Sequence, residues 1–172
     1  MLTDKEAARL KFARESVDVR PYDRIHMSAK IDPTAIIGLK GFGYARDEDG
    51  RLVTVNHSGN VVIESDVEIR ALVTVDRAVN GSTTIGQGTK VDHHCHVAHG
   101  VTIGVWNTLA AHTIIEGSCK VGNGNTFGAG VIVQRKVVIG NNNLFGSGCV
   151  VTKDCGDNGV YIGNPARLIR YR

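Results

Sequence analysis

Apolar residues recur at every sixth position through most of this chain. Stepping from Ile85 by six gives Val91, Val97, Ile103, Leu109, Ile115, Val121, Phe127, Val133, Ile139, Phe145 and Val151 without a polar interruption. Four residues after each stands a small or medium side chain, from Thr89, Cys95 and Val101 through to Asn143, Cys149 and Cys155. A helix repeats near 3.6 residues and a strand at two, so neither produces this period. A triangular coil does: three six-residue faces close an 18-residue turn, and stacked turns pair as parallel strands about 4.8 Å apart. The pattern predicts an all-β solenoid with two inward columns on each face. The residue after each apolar position is often small or acidic, as at Gly86, Asp92, Gly104, Glu116, Gly122 and Gly140, and is read as the turn between faces.

The register extends upstream through Ile63, Ile69 and Val75, then slips by four residues at Asn80 to Thr83. Ile31 and Ile37 begin two further hexads, after which residues 39–60 abandon the pattern and contain GFGYARDEDGRL. So long an excursion from a solenoid is where a binding loop is expected. Ahead of the repeat, Thr3 and Glu6 fit a capping box, which predicts a short helix from Asp4 to about Glu15. The expected organisation is an N-terminal helical segment over 1–30, a β-helix over 31–156 with an insertion at 39–60, and a tail over 157–172.

Composition narrows the class. The chain has 172 residues, 42% apolar and 22% charged, with 21 glycines and 5% aromatics, which suits one domain of many tight turns. A formal charge of +3 with no basic run argues against nucleic acid as a partner. No apolar stretch serves as a signal peptide or a membrane span, so a cytoplasmic location is expected. The four cysteines, Cys95, Cys119, Cys149 and Cys155, fall at the small inward position and are read as core residues. Those sharing a column lie roughly 10 and 14 Å apart by strand spacing, too far for a disulfide.

Five of the seven histidines lie between positions 93 and 112. His94 and His112 are 18 residues apart and stack, which reads as two surface imidazoles in adjacent turns ahead of a metal pair. His99 is distinguished by its column: steps of 18 give Gly117, Arg135 and Lys153, a histidine followed by an open place and two cations over roughly 14 Å. A ligand along that track would set its reactive end beside His99 and its phosphates at Arg135 and Lys153, with Gly117 allowing close approach.

The repeat is the hexapeptide signature, and the chain resembles left-handed parallel β-helix enzymes that carry it. Within that class GFGYARDEDG, VVIESDVEIRALVTVDRA and VDHHCHVAHGVTIG look like the core of UDP-3-O-acylglucosamine N-acyltransferase, the lipid A enzyme that moves an acyl chain onto an amino-sugar nucleotide. The resemblance implies that His99 is the catalytic base, and it assigns Asp76, Arg77 and the Gly41 to Tyr44 loop to the site. On that resemblance the family's second histidine is expected to be replaced near Arg135, and its N-terminal nucleotide-binding domain and C-terminal helices are expected to have no counterpart in these 172 residues. The ending YIGNPARLIRYR instead resembles the close of coenzyme A-dependent acetyltransferases of the same fold, which adds Arg167 to the donor-binding set of Gly117, Arg135 and Lys153.

The implied chemistry is acyl transfer from a thioester to an amine, which needs a base and donors for the tetrahedral oxyanion. His99 supplies the first, oriented by Asp92 or Glu116, and backbone amides near Gly117 supply the second. The expected enzyme is an N-acyltransferase working as a homotrimer with sites between subunits. Acetyl-CoA is the expected co-substrate, or an acyl chain on acyl carrier protein, with no permanently bound cofactor. Phe42, Tyr44 and His57 are expected to contact the amino-sugar nucleotide. A rival resemblance is to γ-class carbonic anhydrases, with His94, His99 and His57 as zinc ligands.

Overall fold

The computed structural model describes residues 23–172, so the expected Asp4 to Glu15 helix lies outside the described residues. Strands of two to five residues alternate with turns, and through the regular coils every third strand adds to the same sheet. Sheet A stacks β1 (Arg24–Ile25), β6 (Asn60–Ile63), β9 (Ser82–Ile85), β12 (Thr102–Ile103), β15 (Lys120–Val121) and β18 (Val138–Ile139). Sheet B stacks β2 (Lys30–Ile31), β7 (Glu68–Ile69), β10 (Lys90–Val91), β13 (Thr108–Leu109), β16 (Thr126–Phe127), β19 (Leu144–Phe145), β21 (Gly159–Ile162) and β22 (Arg167–Tyr171). Sheet C stacks β3 (Ile36–Lys40), β8 (Thr74–Arg77), β11 (His96–Val97), β14 (Ile114–Ile115), β17 (Ile132–Val133) and β20 (Val150–Val151). The stacking is parallel with 18-residue register, as in Val97 opposite Ile115 and Ile115 opposite Val133. This is the parallel β-helix that the six-residue period demands.

Both inward columns are filled. The aliphatic column from Ile37 to Val151 is buried, each full-size side chain contributing about 1.5–3 kcal/mol, and Phe127, Phe145 and Tyr161 stack 4.9 and 5.2 Å apart. The second column carries a polar ladder. Asn125 Nδ2 donates to Asn107 Oδ1 at 3.1 Å and Asn143 Nδ2 to Asn125 Oδ1 at 3.0 Å, and each carbonyl also accepts the backbone N–H of the next rung. All four cysteines are buried and unbridged, and burial pushes the thiols of Cys95, Cys119 and Cys155 up to about 11, which makes them inert packing groups.

Three details differ from the sequence reading. The left-handed residue that turns each corner stands three after the apolar position, as at His94, Trp106, His112, Ser118, Lys136 and Asn142 with φ of 55–64°. Gly86, Gly104 and Gly122 serve another purpose: a Cβ there would meet the backbone of the next coil at 2.5–2.7 Å. Within the segment expected to be helical, residues 24–25 already form β1, one hexad ahead of Ile31. The 157–172 tail is largely strand, with β21 parallel to β19 and β22 folding back antiparallel on it.

The excursion is an antiparallel hairpin of β4 (Tyr44–Arg46) and β5 (Leu52–Thr54), with Tyr44 opposite Thr54. Its base is held by backbone bonds from Ser58, Gly59 and Asn60 to the carbonyls of Val79, Ala78 and Gly81.

Candidate functional site

Three successive coils pass from sheet C to sheet A at one corner. The first detours through residues 41–59, the second through 78–81, and the third turns tightly at His99 and Gly100. The excursion, the four-residue slip and His99 therefore share one edge of the solenoid. The next coils place Gly117, Arg135 and Lys153 at the same corner, in the 18-residue column expected.

The slip makes β8 four residues long, so Asp76 and Arg77 run past the point where later coils turn. Paired with Leu39 and Lys40 across a bulge, they face the mouth of the excursion. Arg77 is buried and donates from Nε to the His57 carbonyl at 2.8 Å and from Nη1 to the Gly38 carbonyl at 3.0 Å. Its guanidinium thus clamps the two ends of the insertion through two backbone carbonyls.

His57, at the returning end, is 1% exposed and packs edge to face on the half-buried His99, ring centroids 5.2 Å apart. Gly117 lies against His99: a Cβ there would stand 2.7 Å from its Cε1 and Nε2. Burial and the neighbouring His57 hold the His99 imidazole below its ordinary value, Asp76 opposes this, and Arg135 and His96 add to the lowering. Burial holds the Asp76 carboxyl above the usual range against the pull of His96, His99 and His57. An imidazole shifted down beside a carboxyl shifted up, in one partly buried cluster, is the pattern of a site built for proton transfer.

The acid beside His99 is Asp76, and neither Asp92 nor Glu116 takes that role. Asp92 stands at the corner between sheets B and C, where Oδ1 meets His93 Nδ1 at 2.6 Å. It borders a groove of about 510 Å³ along sheet B, with Glu68, Lys90 and Thr108 among its other walls and none of the His99 column. Glu116 shares the His99 corner, but its Oε2 accepts the backbone N–H of Arg135 at 3.0 Å and fixes that turn. His96, absent from the sequence assignment, bonds through Nδ1 to the Thr74 hydroxyl at 2.7 Å and sets Nε2 3.7 Å from Asp76 Oδ2. The signal was available: Thr74 is 22 residues before His96, a step that only the four-residue slip explains.

Arg135 and Lys153 are exposed and make no ion pair among the described residues. Arg167 is exposed at the start of β22, Nη1 3.1 Å from the Ala166 carbonyl, outside the His99 column. Phe42 is 87% exposed and pairs edge to face with Tyr44 at 5.1 Å. His94 stacks on His112, centroids 4.9 Å apart, and does not join His57 and His99 as the zinc reading requires. Among the described residues no three His, Cys, Asp or Glu side chains are placed to hold a metal ion, and no helix is long and apolar enough to cross a membrane.

Fold and corner together define a hexapeptide-repeat β-helix with an imidazole and carboxylate cluster at one edge. Comparison with known proteins agrees with that class: residues 118–153 match the family model of the bacterial transferase hexapeptide (six repeats). UDP-3-O-acylglucosamine N-acyltransferase of Protochlamydia amoebophila is 49% identical over 79 residues, which are 46% of this chain and 23% of that protein. The enzyme of the same name from Helicobacter hepaticus is 49% identical over 70 residues, 41% of this chain and 22% of that protein. These matches thus span less than a quarter of the relatives' length. Among solved structures, UDP-N-acetylglucosamine O-acyltransferase of Moraxella catarrhalis superposes with a TM-score of 0.68 at 20% identity, covering 88% of this chain and 74% of that one. A mutant perosamine N-acetyltransferase from Caulobacter crescentus, in complex with CoA and GDP-perosamine, gives 0.60 at 23% identity, covering 95% and 65%.

Proposed function

We propose that this chain is an N-acyltransferase that moves an acyl group, acetyl from acetyl-CoA in the leading reading, to the amine of an amino-sugar nucleotide with His99 as general base. One observation carries it: a half-buried imidazole, held below its ordinary protonation range, rests on Gly117 at the foot of a column of exposed cations. The acceptor ammonium first loses one proton to solvent. The amine nitrogen attacks the thioester carbonyl carbon while His99 takes its second proton, backbone amides near Gly117 steady the oxyanion, and the C–S bond breaks. His99 then returns the proton to the departing thiolate, leaving an amide and a free thiol. Asp76 stabilises the imidazolium that forms between these steps.

Arg135 and Lys153 would meet the phosphates of coenzyme A, with Arg167 near the outer end, and the Phe42 and Tyr44 rings would hold the acceptor. The site would lie between subunits of a homotrimer in the cytoplasm. A second reading, a longer acyl chain delivered by acyl carrier protein, is favoured by the 49% identity to UDP-3-O-acylglucosamine N-acyltransferases. Thiol release from a panel of thioesters, acetyl-CoA and acyl carrier proteins included, tests both. Acetyl-CoA should support turnover, and His99→Ala should lower it roughly a hundredfold or more. Turnover with carrier-protein donors alone rejects the acetyl donor, and unchanged turnover in the variant rejects the base.

A further inference from the structure

The fold buries the Asp76 carboxyl, 8% exposed, while Arg77 beside it turns its guanidinium to the carbonyls of His57 and Gly38. Burial favours the uncharged acid. Of the charges that oppose burial, His96 is the strongest, ahead of His99 and His57. His96 stands on the outward face of sheet C, its side chain 37% exposed, and pairs with Thr74 of the preceding coil. The Thr74 hydroxyl lies 2.7 Å from His96 Nδ1, and Nε2 on the other side of the ring lies 3.7 Å from Asp76 Oδ2. A hydroxyl both donates and accepts, so it satisfies Nδ1 whether the ring is neutral or charged. In both states Nε2 can carry a hydrogen toward the carboxylate. The next residues on this face, Ile36 beyond Thr74 and Ile114 beyond His96, are apolar. Around His99 the charged groups are His57, Asp76, Arg135 and His96.

We infer that His96 is a positioning residue for His99 that acts through Asp76: anchored by the Thr74 hydroxyl, it turns Nε2 to the carboxylate and holds it as the counter-charge to the His99 imidazolium. This role rests on the acyltransferase reading above. A buried carboxyl left to itself takes up a proton, and a neutral acid beside His99 stabilises no imidazolium. His96 is the group that reaches from the solvent side to prevent this. The two histidines therefore divide the work, His99 exchanging the proton and His96 steadying the charge that makes the exchange favourable.

The pH dependence of turnover tests the role, with UDP-glucosamine as acceptor and the thioester that the panel above selects. His96→Phe keeps a ring on the sheet and deletes both nitrogens. Its kcat should fall about tenfold, as on losing a contact to a charged group, with KM for the acceptor within about threefold. The acid limb of kcat/KM should move up by about half a pH unit or more, because Asp76 then takes up a proton more readily and His99 loses a neighbouring charge. Asp76→Asn should move the same limb down, a contrast that loosened packing does not produce. His96→Gln keeps an uncharged donor and should recover most of kcat. In the Asp76→Asn background His96→Phe should cost nothing further. A limb that stays in place or moves down, no recovery with glutamine, or a further loss in that background overturns the role. Carboxyl 13C NMR reads the same contact without turnover. The Asp76 signal, identified by its loss in Asp76→Asn, should titrate at higher pH in His96→Phe, and an unmoved titration overturns the inference. A raised titration in a protein that transfers acyl groups from no thioester upholds the hold of His96 on Asp76 and rejects the acyltransferase reading.

Discussion

Replacing Gly117 by Ala separates chemistry from folding at the His99 corner. The added Cβ would stand 2.7 Å from Cε1 and Nε2 of His99. Ordinary carbon contacts begin at about 3.5 Å, so something must move by roughly 1 Å. The atoms in the way are the far end of a side chain, which makes the imidazole the part that yields. Gly117 is not among the residues with positive φ, so alanine fits the backbone there. Such a replacement commonly stabilises by about 0.4–1 kcal/mol through the unfolded chain, worth about 1–4 °C in melting temperature at this size. A catalytic group displaced by about 1 Å loses on the order of a hundredfold in rate, or about 2.7 kcal/mol of transition-state stabilisation. The expected variant therefore melts at or slightly above the wild-type temperature while kcat/KM falls about a hundredfold. Thiol release from the thioester, read beside a thermal melt, measures both. Added to His99→Ala, the substitution should cost nothing further, since both act on one group. Retention of more than a third of kcat/KM, or a loss of activity that tracks a drop of several degrees, refutes the argument.

Asp76→Asn removes the charge that raises the His99 pKa, so His99 should stay unprotonated to lower pH. The acid limb of kcat/KM, already below the ordinary imidazole range, should shift further down while the plateau falls at least roughly tenfold. An upward shift excludes Asp76 as the partner of His99. Arg77→Met leaves the carbonyls of Gly38 and His57 without their donor and should free the neck of the insertion. Hydrogen exchange over residues 41–59 should accelerate while the later coils keep their protection, and uniform acceleration would refute the clamp. Asn125→Ala strips the middle rung of the buried ladder, orphaning the Gly140 carbonyl and two donors of Asn143. A loss of about 3 kcal/mol, or about 6–12 °C in a thermal melt, is expected, and a change under 2 °C would discount the ladder.

The coil was legible because its period is geometric. Ile85 to Val151 each face inward whatever the turns contain, and the His99, Gly117, Arg135 and Lys153 column follows from the same arithmetic. The partners of His99 were not legible by that arithmetic, because steps of 18 fail across the slip. Counting by 18 from Ala98, beside His99, points to Glu116 in the following coil, whereas the step of 22 set by residues 78–81 brings Asp76 alongside Ala98. His57 lies inside an aperiodic excursion, so no repeat could bring it to His99. The turn glycines were misread for a related reason: composition shows that Gly86 must be small but not whether a positive φ or an adjoining coil demands it.

The same corner explains why the repeat is broken where it is. A hexapeptide coil turns its corners in a few residues and presents one side chain per coil along each edge, enough for a column of cations but too little for a convergent site. Convergence needs groups approaching from beyond the edge. Here the slip lengthens β8 so that Asp76 reaches His99, and the excursion returns His57 from the opposite side, with Arg77 tying the two departures together. Each irregularity alone would leave His99 on an open solvated edge, where an imidazole keeps its ordinary basicity. Together they bury it far enough to lower that basicity, and the regular coils beyond, from Gly117 to Lys153, stay free to carry a ligand toward it.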